Sequence, residues 1–189
     1  MESNVKKLLK DSGALLEGHF LLTSGRHSNK YIEKFRLMES PEHLDRICEL
    51  MSDMYKQENI DIILGAAIGG ILLSGGVGKH LDRKTIFTER VEGKMELRRG
   101  FEIKDNDRVL IVEDIVTTGG SIFELIKVVE EYNGSVVGIV SIVNRSVDKI
   151  DFGCEFKSLL EYPIQSYDSP KCPECLKDIP MTHRGRSGK

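Results

Sequence analysis

The chain has 189 residues, of which 40% are hydrophobic and 30% are charged, and its formal net charge is −3. These values indicate a single domain with enough apolar residues for a core, and they argue against a broad nucleic-acid-binding surface. No run of ~18 apolar residues is present for a membrane span, and residues 1–10 lack the apolar stretch of a secretory signal. A cytoplasmic protein is therefore expected.

Apolar periodicity predicts strands and helices that alternate along the chain. The N-terminal part is expected to contain a helix at 5–11, extended segments at 20–23 and 31–35, and a helix at 41–57. Strands are then expected at 62–65, 85–88, 109–112, 136–143 and 158–160, with helices at 71–80 and 121–133. This alternation predicts an α/β fold with a parallel sheet flanked by helices, whose ligands bind beyond the carboxyl ends of the strands.

Residues 109–121, VLIVEDIVTTGGS, carry the most specific pattern. A β-branched strand leads into a helical pattern, so the motif lies at a strand-to-helix junction. Glu113 and Asp114 can accept hydrogen bonds from two vicinal hydroxyls. The helix start leaves backbone N–H groups free for a phosphate, and the glycines allow close approach. These features together describe a 5-phosphoribosyl group, and the N–H donors are expected from Thr117, Thr118, Gly119, Gly120 and Ser121.

Two simpler interpretations compete with this one. A generic phosphate loop is disfavoured because neither GxxxxGK[ST] nor a GxGxxG after a strand is present. An ordinary acidic turn between a strand and a helix would explain one Asp or one Gly, but not the whole run.

The motif resembles the phosphoribosyl diphosphate (PRPP) binding motif of type I phosphoribosyltransferases. Residues 13–34, GALLEGHFLLTSGRHSNKYIEK, resemble the orotate phosphoribosyltransferases, and the order of segments fits that family over about 8–167. The resemblance implies one domain at 1–189, with an N-terminal base-binding segment at 1–40, here called the hood, and a tail at 168–189. It assigns PRPP binding to Glu113, Asp114, Ile115, Val116, Thr117, Thr118, Gly119, Gly120 and Ser121.

A second small-residue loop, GAAIGGI at 65–71, follows a predicted strand and opens a helix. Tight packing of strand against helix would explain it alone. Its position beside the first motif favours a diphosphate loop instead, formed by Ala67, Ile68 and Gly69.

Basic and acidic residues alternate in the segment 87–101, FTERVEGKMELRRGF. A solvated hairpin would look similar. In the resembled family this segment is a flexible loop that closes over the reacting centre, often from the neighbouring subunit, and it is called the catalytic loop below. Arg90 and Lys94 are the expected cations, because departure of diphosphate builds negative charge that fixed cations stabilise.

Recognition of the base rests on the resemblance. Arg145 follows the strand VVGIVSIV and matches the arginine that contacts the orotate carboxylate, a planar group suited to a guanidinium fork. From the residues alone, a surface arginine at a strand end is an equal alternative. Thr117 is expected to contribute a hydroxyl to the same base.

The chain departs from the better-known orotate enzymes at four places. Thr23 and Gly69 stand where many members have lysine, Ile32 replaces an aromatic residue, and Glu96 lies near the place of the usual loop histidine. These changes affect the base site and the loops, and they leave the ribose-phosphate motif unchanged.

Four cysteines are present. Cys172 and Cys175 form a CPEC pair that supplies only half of a zinc site, so no residue is assigned as a metal ligand; a metal shared across a dimer and a redox-active pair both stay open. Cys48 in a helix and Cys154 in a strand-like stretch are expected to be packing residues. A solvated tail is expected at the chain end, which carries His183, Arg184, Arg186 and Lys189.

The resemblance implies a Mg²⁺-dependent homodimer that makes orotidine 5′-monophosphate and diphosphate from orotate and PRPP in de novo pyrimidine synthesis. Substrate oxygens and water would hold most of the Mg²⁺, so a carboxylate cage is not required. No nucleic-acid or membrane partner is expected. The alternatives are a purine phosphoribosyltransferase, which shares the PRPP site, and a non-catalytic PRPP-sensing regulator.

Overall fold

The computed structural model describes residues 2–22, 24–177 and 179–184. Its helices are α1 (Glu2–Asp11), α2 (Lys34–Met38), α3 (Pro41–Asp53), α4 (Gly69–Leu81) and α5 (Gly120–Glu131). Its strands are β1 (Leu15–Leu21), β2 (His27–Ile32), β3 (Ile62–Ala66), β4 (Lys84–Val91), β5 (Lys94–Leu97), β6 (Arg108–Val116), β7 (Ser135–Asn144), β8 (Phe156–Glu161) and β9 (Met181–His183).

A six-stranded sheet in the order β5-β4-β3-β6-β7-β8 forms the central layer. Its strands run parallel except for β5, which pairs antiparallel with β4. Residues 109–112 of β6, VLIV, are apolar on both faces, as a strand covered by helices on both sides requires. Leu110 and Val112 pack into one core cluster with α3 and α4, while Val109 and Ile111 pack into the other with α5. The predicted α/β class and parallel sheet are confirmed.

The hood forms a smaller sheet in the order β2-β1-β9. Strands β1 and β2 pair antiparallel, and β9 adds from the C-terminal segment, parallel to β1. His183 is exposed, as expected for a solvated tail, but its backbone pairs with Leu21, so this part of the C-terminal segment is held against the hood. Arg184 also lies 3.8 Å from a Glu33 carboxylate oxygen. Arg186 and Lys189 lie outside the described residues, as does Thr23.

Several predicted boundaries change for identifiable reasons. Strand β6 continues to Val116, past the predicted end at residue 112, because its ladder with β7 continues through Val116 and Asn144. The extended segment predicted at 31–35 ends at Ile32, and α2 begins two residues later. The helix predicted at 41–57 ends at Asp53 and is followed by turns.

The catalytic loop contains a β-hairpin. Strands β4 and β5 pair through Arg90 with Met95 and Val91 with Lys94. Glu92 and Gly93 form the turn with φ of 48° and 88°, the positive values that favour a tight hairpin. The solvated hairpin considered as an alternative is thus the observed local structure.

The cysteines fall into two groups. Cys48 is fully buried on α3, and burial raises the pKa of its thiol to about 12, which confirms a packing role. Cys154 packs beside the second core cluster as predicted, but it lies in a bend before β8 and not in a strand. The CPEC pair supplies two of four clustered metal-binding side chains, because His19 and His27 of the same chain lie beside Cys172 and Cys175.

Among the described residues, no helix combines the length and the apolar character that a bilayer crossing requires.

Candidate active site

The carboxyl groups of Glu113 and Asp114 lie near the carboxyl end of β6, at the edge where parallel sheets bind ligands. Both are buried, with 8% and 4% of the residue surface exposed. Glu113 Oε1 accepts a hydrogen bond of 2.8 Å from the Asp114 backbone N–H. Burial, followed by the charge of Asp114, raises the pKa of Glu113 to about 8. The raised pKa favours the protonated carboxyl, which can donate a hydrogen bond as well as accept one.

Lys34 supplies the counter-charge of Asp114, and sequence reasoning did not single it out. Its Nζ lies 2.5 Å from Asp114 Oδ2, so the first residue of α2 is held against the end of β6. About a third of the Lys34 side chain is exposed, which leaves it accessible to a ligand. Its place in the stretch 13–34 was the sole sequence signal, since the contact joins residues far apart along the chain.

The turn at residues 117–121 leads from β6 into α5. Gly119 has φ of 75° at the N-cap of α5. Within the described part of the chain, no backbone carbonyl accepts a hydrogen bond from the N–H groups of Thr117, Thr118 or Gly119. The turn lines an open depression of about 290 Å³, bordered by Glu113 and Glu124. Free N–H groups at a helix start favour an anion in this depression.

Ala67, Ile68 and Gly69 connect β3 to α4, as expected for the diphosphate loop. A Cβ added to Gly65 would lie 2.2 Å from the Gly70 carbonyl oxygen, so the loop is drawn tightly against the helix start. Ile68 is 73% exposed, and the Ala67–Ile68 peptide bond is cis. The loop is therefore packed tightly against the helix start and is also accessible to a ligand, so the two interpretations of residues 65–71 are compatible.

The diphosphate loop adjoins the carboxyl pair. A Cβ on Gly69 would lie 2.0 Å from Asp114 Oδ2 and 3.6 Å from Lys34 Nζ. A side chain at position 69 would clash with the Asp114 carboxyl in this arrangement. The Lys34 ammonium group from the hood lies next to Gly69 instead. Glycine at position 69 therefore leaves room for the contact between Lys34 and Asp114.

Thr117 and Arg145 follow neighbouring strand ends. Val116 pairs with Asn144, and the Arg145 backbone N–H donates a 2.8 Å hydrogen bond to the Val116 carbonyl. Arg145 Nε is buried and has no hydrogen-bond partner among the described residues. Burial lowers the pKa of the Arg145 guanidinium, and the neighbouring Tyr31 of the hood opposes that shift. The two residues predicted to contact the base therefore lie at adjacent strand ends, and Arg145 also neighbours Tyr31 of the hood.

The predicted cations of the catalytic loop have different surroundings. The Arg90 guanidinium donates to Glu124 Oε2 at 2.7 Å and to the Gly93 carbonyl at 2.5 Å. Glu124 borders the depression at residues 117–121, so its contact with Arg90 holds Arg90 near this depression. Lys94 is exposed at the start of β5. Ile32, another departure from the family pattern, is buried in the first core cluster.

Comparison with known proteins agrees with this geometry. The family model of the phosphoribosyl transferase domain matches residues 36–152, more than half of the chain. The orotate phosphoribosyltransferase of Caldicellulosiruptor bescii is 42% identical over 183 residues, which cover 97% of this chain and 96% of that protein. That of Thermotoga maritima is 43% identical over 184 residues, covering 97% and 98%. This chain belongs to the orotate phosphoribosyltransferase family.

Among solved structures, the orotate phosphoribosyltransferase of Aeropyrum pernix is similar, with a TM-score of 0.72 and 25% identity over 83% of this chain and 93% of that one. The predicted family and the type I phosphoribosyltransferase fold are confirmed. The region matched by the family model contains the carboxyl pair, the phosphate turn and the diphosphate loop. Most of the hood and all of the tail lie outside it, and the predicted domain limits stay a prediction.

Proposed function

We propose that this chain transfers the 5-phosphoribosyl group of PRPP to orotate, giving orotidine 5′-monophosphate and diphosphate in de novo pyrimidine synthesis. The observation that carries the proposal is the continuous run of residues 113–121, which places two buried carboxyl groups next to a turn with free backbone donors. Similarity to orotate phosphoribosyltransferases over 97% of the chain supports it.

The 5′-phosphate fits the depression at residues 117–121. Its oxygens would accept hydrogen bonds from the N–H groups of the turn and of the first turn of α5, and the helix dipole favours the same charge. The ribose hydroxyls would then meet Glu113 and Asp114. The raised pKa of Glu113 favours a carboxyl that can donate as well as accept, and the Asp114 carboxyl oxygens accept, so the pair suits two neighbouring hydroxyls.

The orotate carboxylate is assigned to Arg145. A planar carboxylate can accept two hydrogen bonds from the guanidinium, which would give the buried Nε a partner and restore part of the solvation lost through burial. The hydroxyl of Thr117, at the adjacent strand end, is the second proposed base contact.

The diphosphate is assigned to residues 67–69 and to nearby cations. Cleavage of the bond from the anomeric carbon to diphosphate builds positive charge on the ribose and negative charge on the leaving group, so no covalent nucleophile is needed. Lys94 and Arg90 are proposed to stabilise the leaving group, and Lys34 lies beside the same loop.

Mg²⁺ is the proposed cofactor. Substrate oxygens and water would supply most of the coordination of Mg²⁺, and the Asp114 carboxyl beside the diphosphate loop offers one oxygen donor of the hard kind that Mg²⁺ prefers. When bound, it would neutralise charge on the leaving diphosphate. The expected cytoplasmic location and the absence of a nucleic-acid partner stay predictions.

A substrate panel tests the proposed reaction. Purified protein with PRPP and Mg²⁺ is offered orotate, xanthine, hypoxanthine and adenine, and base consumption is followed by absorbance. Rapid use of orotate alone is expected. Turnover of a purine but not of orotate would identify a purine phosphoribosyltransferase. PRPP binding without turnover of any base would favour the non-catalytic PRPP-sensing regulator.

A subunit-mixing experiment tests the proposed homodimer and the origin of its catalytic loop. Lys94→Ala and Asp114→Asn subunits, each expected to have strongly reduced activity alone, are co-refolded and assayed with orotate. Recovered activity is expected if the loop of one subunit completes the site of the other. Activity that stays at the level of the separate variants would show that each site uses its own loop.

A further inference from the structure

Four metal-binding side chains from two distant parts of the chain meet where the C-terminal segment crosses the hood. His19 and His27 come from β1 and β2, and Cys172 and Cys175 come from the CPEC segment. Their ligand atoms all lie within 4.8 Å of one another. His19, His27 and Cys172 are buried, and Cys175 is half-buried. This group is called the His/Cys cluster below.

The distances in the cluster are close to those of a tetrahedral zinc centre. Bonds of ~2.0–2.1 Å to nitrogen and ~2.3 Å to sulfur place two nitrogens about 3.3 Å apart and a nitrogen and a sulfur about 3.6 Å apart. His19 Nε2 lies 3.6 Å from Cys172 Sγ and 3.4 Å from Cys175 Sγ. His27 Nδ1 lies 3.3 Å from Cys175 Sγ and 2.8 Å from His19 Nε2. Small shifts of the imidazoles would open the nitrogen pair enough for the ion.

The surroundings orient one imidazole for this role. His19 Nδ1 lies 2.8 Å from the Ile179 carbonyl oxygen, which can accept only from a protonated nitrogen. That hydrogen bond leaves the Nε2 lone pair directed at the two sulfurs, as in metal-binding histidines whose other nitrogen donates to a carbonyl. If His19 were only a packing residue, it would not need the Ile179 carbonyl oxygen to orient its imidazole.

We propose that the His/Cys cluster binds one Zn²⁺ per chain as a structural Cys₂His₂ site. Four protein ligands leave no open position for a substrate, so the site has no part in the transfer reaction. The Cys172 thiol lies 3.5 Å from Glu174 Oε2, and binding of Zn²⁺ would release the two thiol protons to solvent. The proposal does not depend on the proposed function.

The ion would fasten the C-terminal segment to the hood. Among the described residues, β9 is three residues long and its side chains are exposed, so backbone pairing holds it with little apolar burial. A metal link between residues 19–27 and 172–175 closes a very long loop, which restricts the unfolded chain strongly. The hood also carries Lys34 and Tyr31, so the link would fix the part of the fold that faces the base site.

Metal analysis of untagged protein is the first test. Inductively coupled plasma mass spectrometry is expected to give one Zn²⁺ per chain. Chelation should lower the melting temperature by about 5–10 °C, and one equivalent of Zn²⁺ should restore it. Replacement by Co²⁺ should give the intense visible bands of a tetrahedral ion with thiolate charge transfer.

Matched variants locate the site. Cys172→Ser and His27→Gln are expected to lose the metal, whereas Cys154→Ser and His80→Gln are expected to keep one Zn²⁺ per chain, because Cys154 and His80 lie outside the cluster. If the cluster variants do not fold, chelation and re-addition with the wild-type chain decides the question.

The proposal is overturned if reduced wild-type protein takes up neither Zn²⁺ nor Co²⁺ when one equivalent is added. Isolation of the chain with a Cys172–Cys175 disulfide and no metal affinity after reduction would instead identify a redox pair. Equal loss of zinc from the Cys154→Ser variant would place the ion elsewhere.

Discussion

The strand-to-helix junction at residues 113–121 and the hood achieve their geometry in different ways. Residues 113–121 bring the carboxyl pair and the phosphate turn together within one strand-to-helix junction. In the hood, Lys34 meets Asp114 and His19 meets Cys172, residues that are far apart along the chain. Local backbone geometry fixes the first region, while tertiary packing assembles the second. A substitution in residues 113–121 should therefore impair PRPP binding directly. A substitution in the hood should instead alter the position of the hood over the PRPP site.

Asp114 contacts both regions, so its loss should have the largest effect. Asp114→Asn replaces a carboxyl acceptor for a ribose hydroxyl and removes the partner of Lys34. We expect kcat/KM for PRPP to fall by about 10²-fold, the value of a charge-assisted hydrogen bond lost in a buried site. Asp53→Asn, at an exposed position on α3, is the control for steady-state kinetics. A change below about threefold would remove Asp114 from the site.

Gly119 tests whether the phosphate turn depends on its local geometry. Gly119 and Gly153 have φ of 75° and 76°, but a Cβ on Gly119 would lie 2.7 Å from Phe152 Cε1, whereas one on Gly153 would have nothing within 4 Å. Gly153→Ala should lower the free energy of unfolding by about 1 kcal/mol through backbone strain. Gly119→Ala should lower it by about 2–3 kcal/mol because a steric clash is added. Urea denaturation measures both, and equal values would contradict the close approach.

Lys34 tests the contribution of the hood to the diphosphate side. Lys34→Gln should raise KM for PRPP by about tenfold, since one cation near the leaving group is lost. Lys30→Gln, on β2 of the hood, is the control, because the Lys30 ammonium donates to the Tyr162 hydroxyl at 3.1 Å and not to the carboxyl pair. Similar KM values for the two variants would show that the charge of Lys34 makes no direct contribution to PRPP binding.

Glu113 gives the smallest effect, a change in pH dependence. Its carboxyl has an ordinary pKa of 4.5 when unfolded and about 8 when folded, so the folded chain binds the extra proton between these values. The contribution to stability is complete below about pH 4.5 and is lost as pH rises through about 8, with a slope of at most ~1.4 kcal/mol per unit. Glu113→Gln should remove this slope in denaturation curves, and Glu130→Gln, exposed on α5, should not. An unchanged slope would show that Glu113 is ionised at neutral pH.

The contrast between local geometry at residues 113–121 and tertiary packing in the hood also explains which features could be predicted from the sequence. The strand-to-helix junction, both glycine loops and the parallel sheet follow from short-range periodicity and from the backbone needs of a helix start, so they could be read in order along the chain. The end of β6 was placed too early because Glu113 and Asp114 look like the start of a loop, although the ladder with β7 keeps them in the strand.

The hood and the tail were harder to predict. Nothing near Lys34 indicates Asp114 as its partner, and nothing near Cys172 indicates His19 and His27. The CPEC pair is a strong local signal, but the histidines that complete it lie in a hairpin whose spacing follows no metal-site pattern. The exposed, polar sequence of β9 likewise resembles a free tail until its backbone pairs with β1.

Calorimetric titration of Arg145→Gln with two ligands tests the division of labour between the regions most directly. Ribose 5-phosphate and orotidine 5′-monophosphate share the sugar phosphate and differ in the base, so the variant should bind the first with unchanged affinity and the second about 10–100-fold more weakly than the wild-type chain. Equal weakening of both ligands, or of neither, would contradict the assignment of the base to Arg145 and of the sugar phosphate to residues 113–121.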